Sequence, residues 1–254
     1  MKYIDKSINQ TAANAIVDEL LDDSWDGTIY IGANYDGLKK PIYKERFTNL
    51  LLDEQHNLCC YCMQEIEPAV TTLEHIIPQE VKKADFARYL VVAELKNYVN
   101  HKADFNTSVR VIPPIKYPHD IAYFNLIASC NRNHTCNHFR GNKFIFPLFY
   151  DKNIQDEVEY DEDGIAYSGK YFDELDKIGI STSDELKMYR KIWKELSLQF
   201  DSAEKITNED IEMIILTLVG NNKYQTLLNN FYGNPSKKDD LMKYRWFFDY
   251  YKNA

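Results

Sequence analysis

Four cysteines in two pairs, Cys59 and Cys62 (C-x-x-C) and Cys130 and Cys136 (C-x5-C), offer the thiolates of a tetrahedral zinc site. A metal held by four sulfurs is closed to substrate, so such a site staples the chain and leaves chemistry to other residues. Between the pairs stand Glu74-His75, followed by Ile76-Ile77-Pro78 and later by Asn125-Leu126; Asn137 and Arg140-Gly141 follow the last cysteine. A carboxylate beside an imidazole can place a metal ligand and a general base around one scissile phosphate. The carboxylate oxygen suits a hard cation, and imidazole titrates near neutrality. Alone, a Glu-His dipeptide before Ile-Ile-Pro reads as an ordinary strand end; the cysteine pairs on either side give it the catalytic reading.

The order of these pieces resembles that of the zinc-stapled HNH endonucleases: a C-x-Y-C knuckle, [D/E]-H-I-x-P, N-L, and a second knuckle whose last cysteine opens C-N-x-x-[K/R]-G. Here they stand as Cys59-Cys60-Tyr61-Cys62, Glu74-His75-Ile76-Ile77-Pro78, Asn125-Leu126 and Cys136-Asn137-His138-Phe139-Arg140-Gly141. The resemblance implies an α+β fold, an HNH (ββα-metal) module with a four-cysteine zinc staple inside a mostly helical body. It implies His75 as the base that takes a proton from water, and Glu74 and Asn137 as ligands of a catalytic magnesium or manganese ion. Asn125 would pin the loop that carries the histidine, and Arg140 would contact phosphate with Lys143 and Arg132 beside it. The second knuckle is longer than the pattern, which leaves two alternatives open: His134 in place of Cys130 or Cys136 on zinc, and His138 in place of Asn137 on the catalytic metal. His56, His101 and His119 have no such framing and are expected at the surface, and Tyr61 is expected to pack.

With the aromatic run after the second knuckle, a hairpin and a helical tail, the layout is similar to that of the PtuB nucleases, the HNH subunits of Septu-type and retron-linked antiphage systems. That likeness implies an antiviral effector held by an ABC-type ATPase partner of the PtuA kind, with DNA as the expected substrate and RNA as the alternative. No G-x-x-x-x-G-K-[ST] phosphate loop is present in the chain itself. Two other readings compete: a catalytically silent zinc module that binds nucleic acid or protein, and a restriction-type or homing endonuclease. The latter needs a recognition element, and no basic helix or repeated base-reading module supplies one.

A net charge of −9 runs against phosphate binding, but it is unevenly spread. Residues 1–150 hold 16 Lys/Arg against 18 Asp/Glu, whereas residues 151–254 hold 14 against 21. Arg132, Arg140 and Lys143 face no acid anywhere between Asn125 and Tyr150 in sequence. Five cysteines, four of them in metal spacing, point to zinc in a reducing compartment rather than to disulfides, with Cys60 left over as a buried or half-buried thiol. The chain lacks an apolar run of about 18 residues and a secretory leader, so a cytoplasmic protein with no membrane association is expected.

The elements that must position these groups follow from periodicity. Helices are expected over Gln10–Asp22 and Lys39–Asn57, the second packing Ile42, Phe47, Leu50, Leu51 and Leu58 on the zinc module. A hairpin over Glu65–His75, turning at Pro68-Ala69, would deliver Glu74-His75 on its second strand. The stretch 79–119 is expected as an insertion, helical from Asp85 to Asn100, either a lid or partner surface or a plain decoration. Three regions result: an N-terminal helical segment (1–57), the nuclease module (58–150) and a C-terminal region (151–254). In the last, a hairpin around Asp163-Gly164 precedes helices over Leu186–Phe200, from Thr207 to near Gly220, Lys223–Tyr232 and Asp240–Lys252.

Overall fold

In the computed structural model, which describes residues 1–110, 117–132, 135–219 and 236–253, the chain opens with three helices. Helix α1 (Gln10–Ser24) buries Ala13, Ile16, Val17, Leu20 and Leu21, the spacing of a helix with one apolar face. After the short α2 (Tyr35–Leu38), α3 (Pro41–Glu54) begins on a proline, whose missing N–H is not needed at a first helical position. It buries Tyr43, Phe47, Leu51 and Leu52. Ile42 lies off that stripe and is exposed, contrary to its expected packing role.

Past α3, Gln55 fastens the chain to what becomes the central sheet. Strands β1 (Thr71–His75) and β2 (Leu126–Cys130) run antiparallel, with Thr71 opposite Cys130 and His75 opposite Leu126. The Gln55 amide donates to the Ala128 carbonyl at 2.9 Å and accepts the Ala128 N–H at 2.8 Å, standing in for a backbone neighbour at the edge of β2. Lys6 adds a second clamp: its ammonium, paired with Glu54 at 2.5 Å and sealed from water, donates to the Leu126 carbonyl at 2.6 Å. The hairpin expected over Glu65–His75 does not form. Pro68–Val70 is a single 3-10 turn, Glu65 bridges only Leu58, and the partner of β1 lies on the far side of the 79–119 segment. Proline has no N–H for a ladder, whereas β2 offers five consecutive buried residues.

The 79–119 segment holds α4 (Lys83–Tyr89) and α5 (His101–Asp104). The helix expected from Asp85 to Asn100 ends at Tyr89, where the β-branched pair Val91-Val92 follows. Beyond it the Val92 and Leu95 amides each reach back three residues, at 3.0 Å, and both side chains turn inward. After β2 comes α6 (Cys136–Arg140), which completes a strand, strand, helix succession around the sequence motifs.

Downstream lie α7 (Ile154–Glu157), the antiparallel pair β3 (Glu159–Tyr160) and β4 (Ala166–Tyr167), and α8 (Phe172–Lys177). The β3–β4 turn needs Gly164, at φ +75°, because a Cβ there would lie 2.2 Å from the Lys187 carbonyl oxygen. Ser183 caps α9 (Asp184–Gln199) by accepting the Leu186 N–H, and the helix buries Leu186, Tyr189, Ile192, Trp193 and Leu196. Helix α10 (Asn208–Val219) follows, and the expected helix over Lys223–Tyr232 lies outside the described residues. The helix expected over Asp240–Lys252 is two, α11 (Ser236–Met242) and α12 (Trp246–Asn253). The Trp193 indole donates to the Leu241 carbonyl at 3.0 Å and meets Phe248 edge to face, which ties both to α9.

The described residues form a mixed α+β protein with two small two-stranded sheets and one continuous apolar core that includes Leu20, Phe47, Ile127, Trp193 and Phe248. Among the described residues no helix is long and apolar enough to cross a membrane.

Candidate metal centre and active site

Cys59, Cys62, Cys130 and Cys136 converge from a turn, the end of β2 and the start of α6. All four are buried, and their sulfurs lie within 4.8 Å of one another. Cys62 and Cys130 are 3.7 Å apart and Cys59 and Cys136 3.9 Å; a tetrahedron with zinc–sulfur bonds of about 2.3 Å places sulfurs roughly 3.8 Å apart. Met63 and Cys136 take positive φ, the tight turning that brings each pair of sulfurs to one point. The Cys130 N–H donates to Cys59 Sγ at 3.3 Å. Against burial, which acts to raise it, hydrogen bonds from the other cysteines hold the Cys59 thiol well below its ordinary value. All five cysteines are free thiols, and Cys60, also buried, donates its N–H to Ala128. The four-sulfur cluster can hold a metal ion such as zinc. The chain returns to cover it: Tyr244 Oη lies 3.9 Å from Cys62 Sγ and donates to Gln64 at 3.1 Å, while the Glu65 N–H donates to the Lys243 carbonyl at 2.7 Å.

Glu74, next to the end of β1, is buried, and its Oε1 accepts from Arg140 Nη1 at 2.5 Å and from the Tyr61 hydroxyl at 3.1 Å. Burial raises the carboxyl above its ordinary value in spite of the Arg140 charge. Both of these bonds fall on Oε1, and neither engages Oε2. Arg140 does not reach outward as a phosphate contact. It is 1% exposed, and it also donates to the His75 carbonyl at 2.6 Å and the Ile76 carbonyl at 2.5 Å, so the guanidinium is spent on the end of β1. Tyr61, expected only to pack, takes part in the same cluster.

His75 closes β1. Its Nε2 lies 2.9 Å from the carbonyl oxygen of Asp120, and its ring meets Tyr35 edge-on with centroids 4.4 Å apart. A carbonyl only accepts, so Nε2 carries the proton of the neutral ring and Nδ1 keeps its lone pair. Burial pushes the imidazole down to about 4, the Asp120 hydrogen bond acting in the other direction. The ring is therefore neutral at neutral pH, with its one proton on Nε2.

Asn125 has no exposure and braces the loop after His75: its Oδ1 accepts the Ile77 N–H at 2.6 Å, and its Nδ2 donates to the carbonyls of Ile77 at 3.1 Å and His119 at 2.7 Å. His119 is not a surface residue. It is wholly buried, with Nδ1 accepting the His101 N–H and Nε2 donating to the Pro78 carbonyl. His101 is half-buried and bonded to Asp120 at 2.8 Å, whereas His56 is exposed as expected. Asp120, Tyr35, His101 and His119 are absent from the sequence motifs, and their links, through backbone groups and through the His101–Asp120 and Tyr35–His75 side-chain contacts, join segments that no local spacing brings together.

Asn137 is half-buried on the face of α6 that also carries Arg140, one turn away, and His138 is exposed. His134 lies outside the described residues. Arg132, a second expected phosphate contact, is drawn into ion pairs with Glu185 and Asp240 at 3.2 and 3.3 Å, with 14% of its side chain exposed. Of the three basic candidates Lys143 is the exposed one, its ammonium 4.3 Å from the Phe139 ring centre. Comparison with protein-family models, curated proteins and solved structures gave no match.

Proposed function

We propose that this chain is a metal-dependent HNH endonuclease that hydrolyses phosphodiester bonds of nucleic acid. The observation that carries the reading is His75: it ends a strand next to Glu74, its Nε2–H is committed to the Asp120 carbonyl, and its Nδ1 lone pair is left for a proton. In the reaction Nδ1 takes a proton from water as the water oxygen bonds to phosphorus and one ester oxygen leaves with its electron pair. The resulting imidazolium donates from Nε2 to the same carbonyl, so the ring need not turn.

A magnesium or manganese ion, when bound, supplies charge for the developing phosphorane. Glu74 Oε2 and Asn137 would hold it: a carboxylate and an amide oxygen are the donors such ions prefer. The zinc staple would fix β2, the partner of the strand that carries His75, and takes no part in the chemistry. Lys143 is the side chain best placed to meet the nucleic-acid backbone. The antiphage setting, the PtuA-like ATPase partner and a preference for DNA rest on the resemblance of motif order and layout, and are proposed with it.

The test is cleavage of plasmid DNA and of total cellular RNA in magnesium and then manganese, with and without the candidate ATPase. Wild type is expected to cut, and His75→Ala to lose cutting while keeping its fold and zinc. An equally active His75→Ala protein, or wild type inert throughout, would favour the binding-module reading.

A further inference from the structure

One buried carboxylate lies behind two of the contacts that hold His75. Asp120 is 1% exposed, and its Oδ2 accepts the Tyr35 N–H at 3.1 Å and faces His101 Nδ1 at 2.8 Å. The backbone carbonyl of the same residue takes the proton of His75 Nε2, and Tyr35 is the residue whose ring walls His75. The Tyr35 hydroxyl donates in turn to the Leu73 carbonyl of β1 at 3.2 Å. The hydrogen bond that sets the tautomer and the ring that sets the tilt therefore both depend on where this carboxylate sits.

Its other oxygen, Oδ1, has no hydrogen-bond partner among the described residues. Helix α2 needs no carboxylate of its own here, since Asn34 already caps it by accepting the Gly37 N–H at 3.0 Å. Burying an acid with one oxygen unsatisfied is costly, and packing alone gives no reason to keep it. The peptide before Asp120 is fixed as firmly: the His119 N–H donates to the Val99 carbonyl at 2.9 Å, and its carbonyl accepts from Asn125.

We infer that Asp120 is the positioning residue of His75, with His101 holding Asp120 from the 79–119 segment. This rests on the nuclease reading for its effect on rate but not for its effect on the ring. The segment is then more than decoration: it carries His101, which holds the residue that sets the base.

The experiment compares wild type with Asp120→Ala, Asp120→Asn and His101→Ala in the intact zinc-loaded protein. Nitrogen-15 chemical shifts of the His75 ring report the tautomer, and kcat and KM on plasmid DNA are measured beside them. Wild type is expected as the Nε2–H tautomer. Asp120→Ala and His101→Ala are expected to show mixed tautomers and kcat lower by at least about tenfold, a fraction of what a general base supplies, with KM and zinc content held. Asp120→Asn keeps an oxygen for the Tyr35 N–H and is expected to restore most of the wild-type tautomer. A wild-type ring spectrum and a wild-type kcat in either alanine variant would overturn the inference. His101→Ala removes a half-exposed side chain, so it decides the matter even if Asp120→Ala fails to fold. Should wild type cut nothing, the nuclease reading falls and the ring spectra alone judge the positioning.

Discussion

The Arg140 guanidinium and the Glu74 carboxylate meet at 2.5 Å with both side chains buried, so the last residue of α6 and the penultimate residue of β1 are joined by a buried ion pair. The arginine also closes the carbonyls of His75 and Ile76, which makes it the tie between helix and strand. A buried pair of this kind contributes little over an apolar substitute, but breaking it from one side strands the other charge.

Arg140→Met is therefore expected to cost about 3–5 kcal/mol of unfolding free energy in a urea titration, the usual penalty for one uncompensated buried charge. Adding Glu74→Gln should recover part of that loss. A single variant as stable as wild type would show that the pair is open to solvent.

A zinc ion held by the four thiols would be part of the fold, and its removal is expected to unfold the module. One bound zinc per chain is expected by elemental analysis, with a chelator lowering the melting temperature. Cys136→Ser should bind zinc far more weakly, since its sulfur is 3.9 Å from Cys59 within the closed set. Full stability in excess chelator would mean that the four thiols pack without a metal.

The cluster of four sulfurs was legible in the sequence because cysteines in two close pairs are the donors a tetrahedral site would need, whereas the bracing bonds of Asn125 to Ile77 and His119 were expected only from the resemblance. Arg140 was legible as a cation but not in its direction: a residue type carries no sign of whether it faces solvent or a carboxylate. The partner of β1 was misread because a strand records its own alternation and not the segment it will pair with. His119 was misread for a related reason, since its partners are a carbonyl at Pro78 and an amide at His101. Periodicity located α1, α3 and α9 well, all of them long with a clear apolar face, and failed at α4, where a β-branched pair interrupts the run.

Stability in acid should depend on Asp151. Hydrogen bonds from Lys170 at 2.6 Å, the Asn153 N–H at 3.0 Å and the Tyr171 hydroxyl at 2.7 Å hold its carboxyl down at about 2. A carboxyl lowered by folding stabilises above its unfolded value, near 4, and that stabilisation is lost as pH falls through its folded value. Wild type is thus expected to melt above Asp151→Asn at pH 6, with the gap closing between about pH 4 and pH 2. A gap that persists unchanged at pH 2 would assign the stabilisation to the neutral side chain.

Tyr244 and Lys243 lie on the first knuckle although most of the chain separates them from Cys62 in sequence. Translation is vectorial, so the sulfurs of Cys59 and Cys62 emerge first, all four are available once Cys136 has followed, and the cover arrives only when residues 243 and 244 have been added. Until then the four thiols of a nascent chain lie open on one side, and an arrest of synthesis before that point would release a product from which any metal they hold exchanges readily.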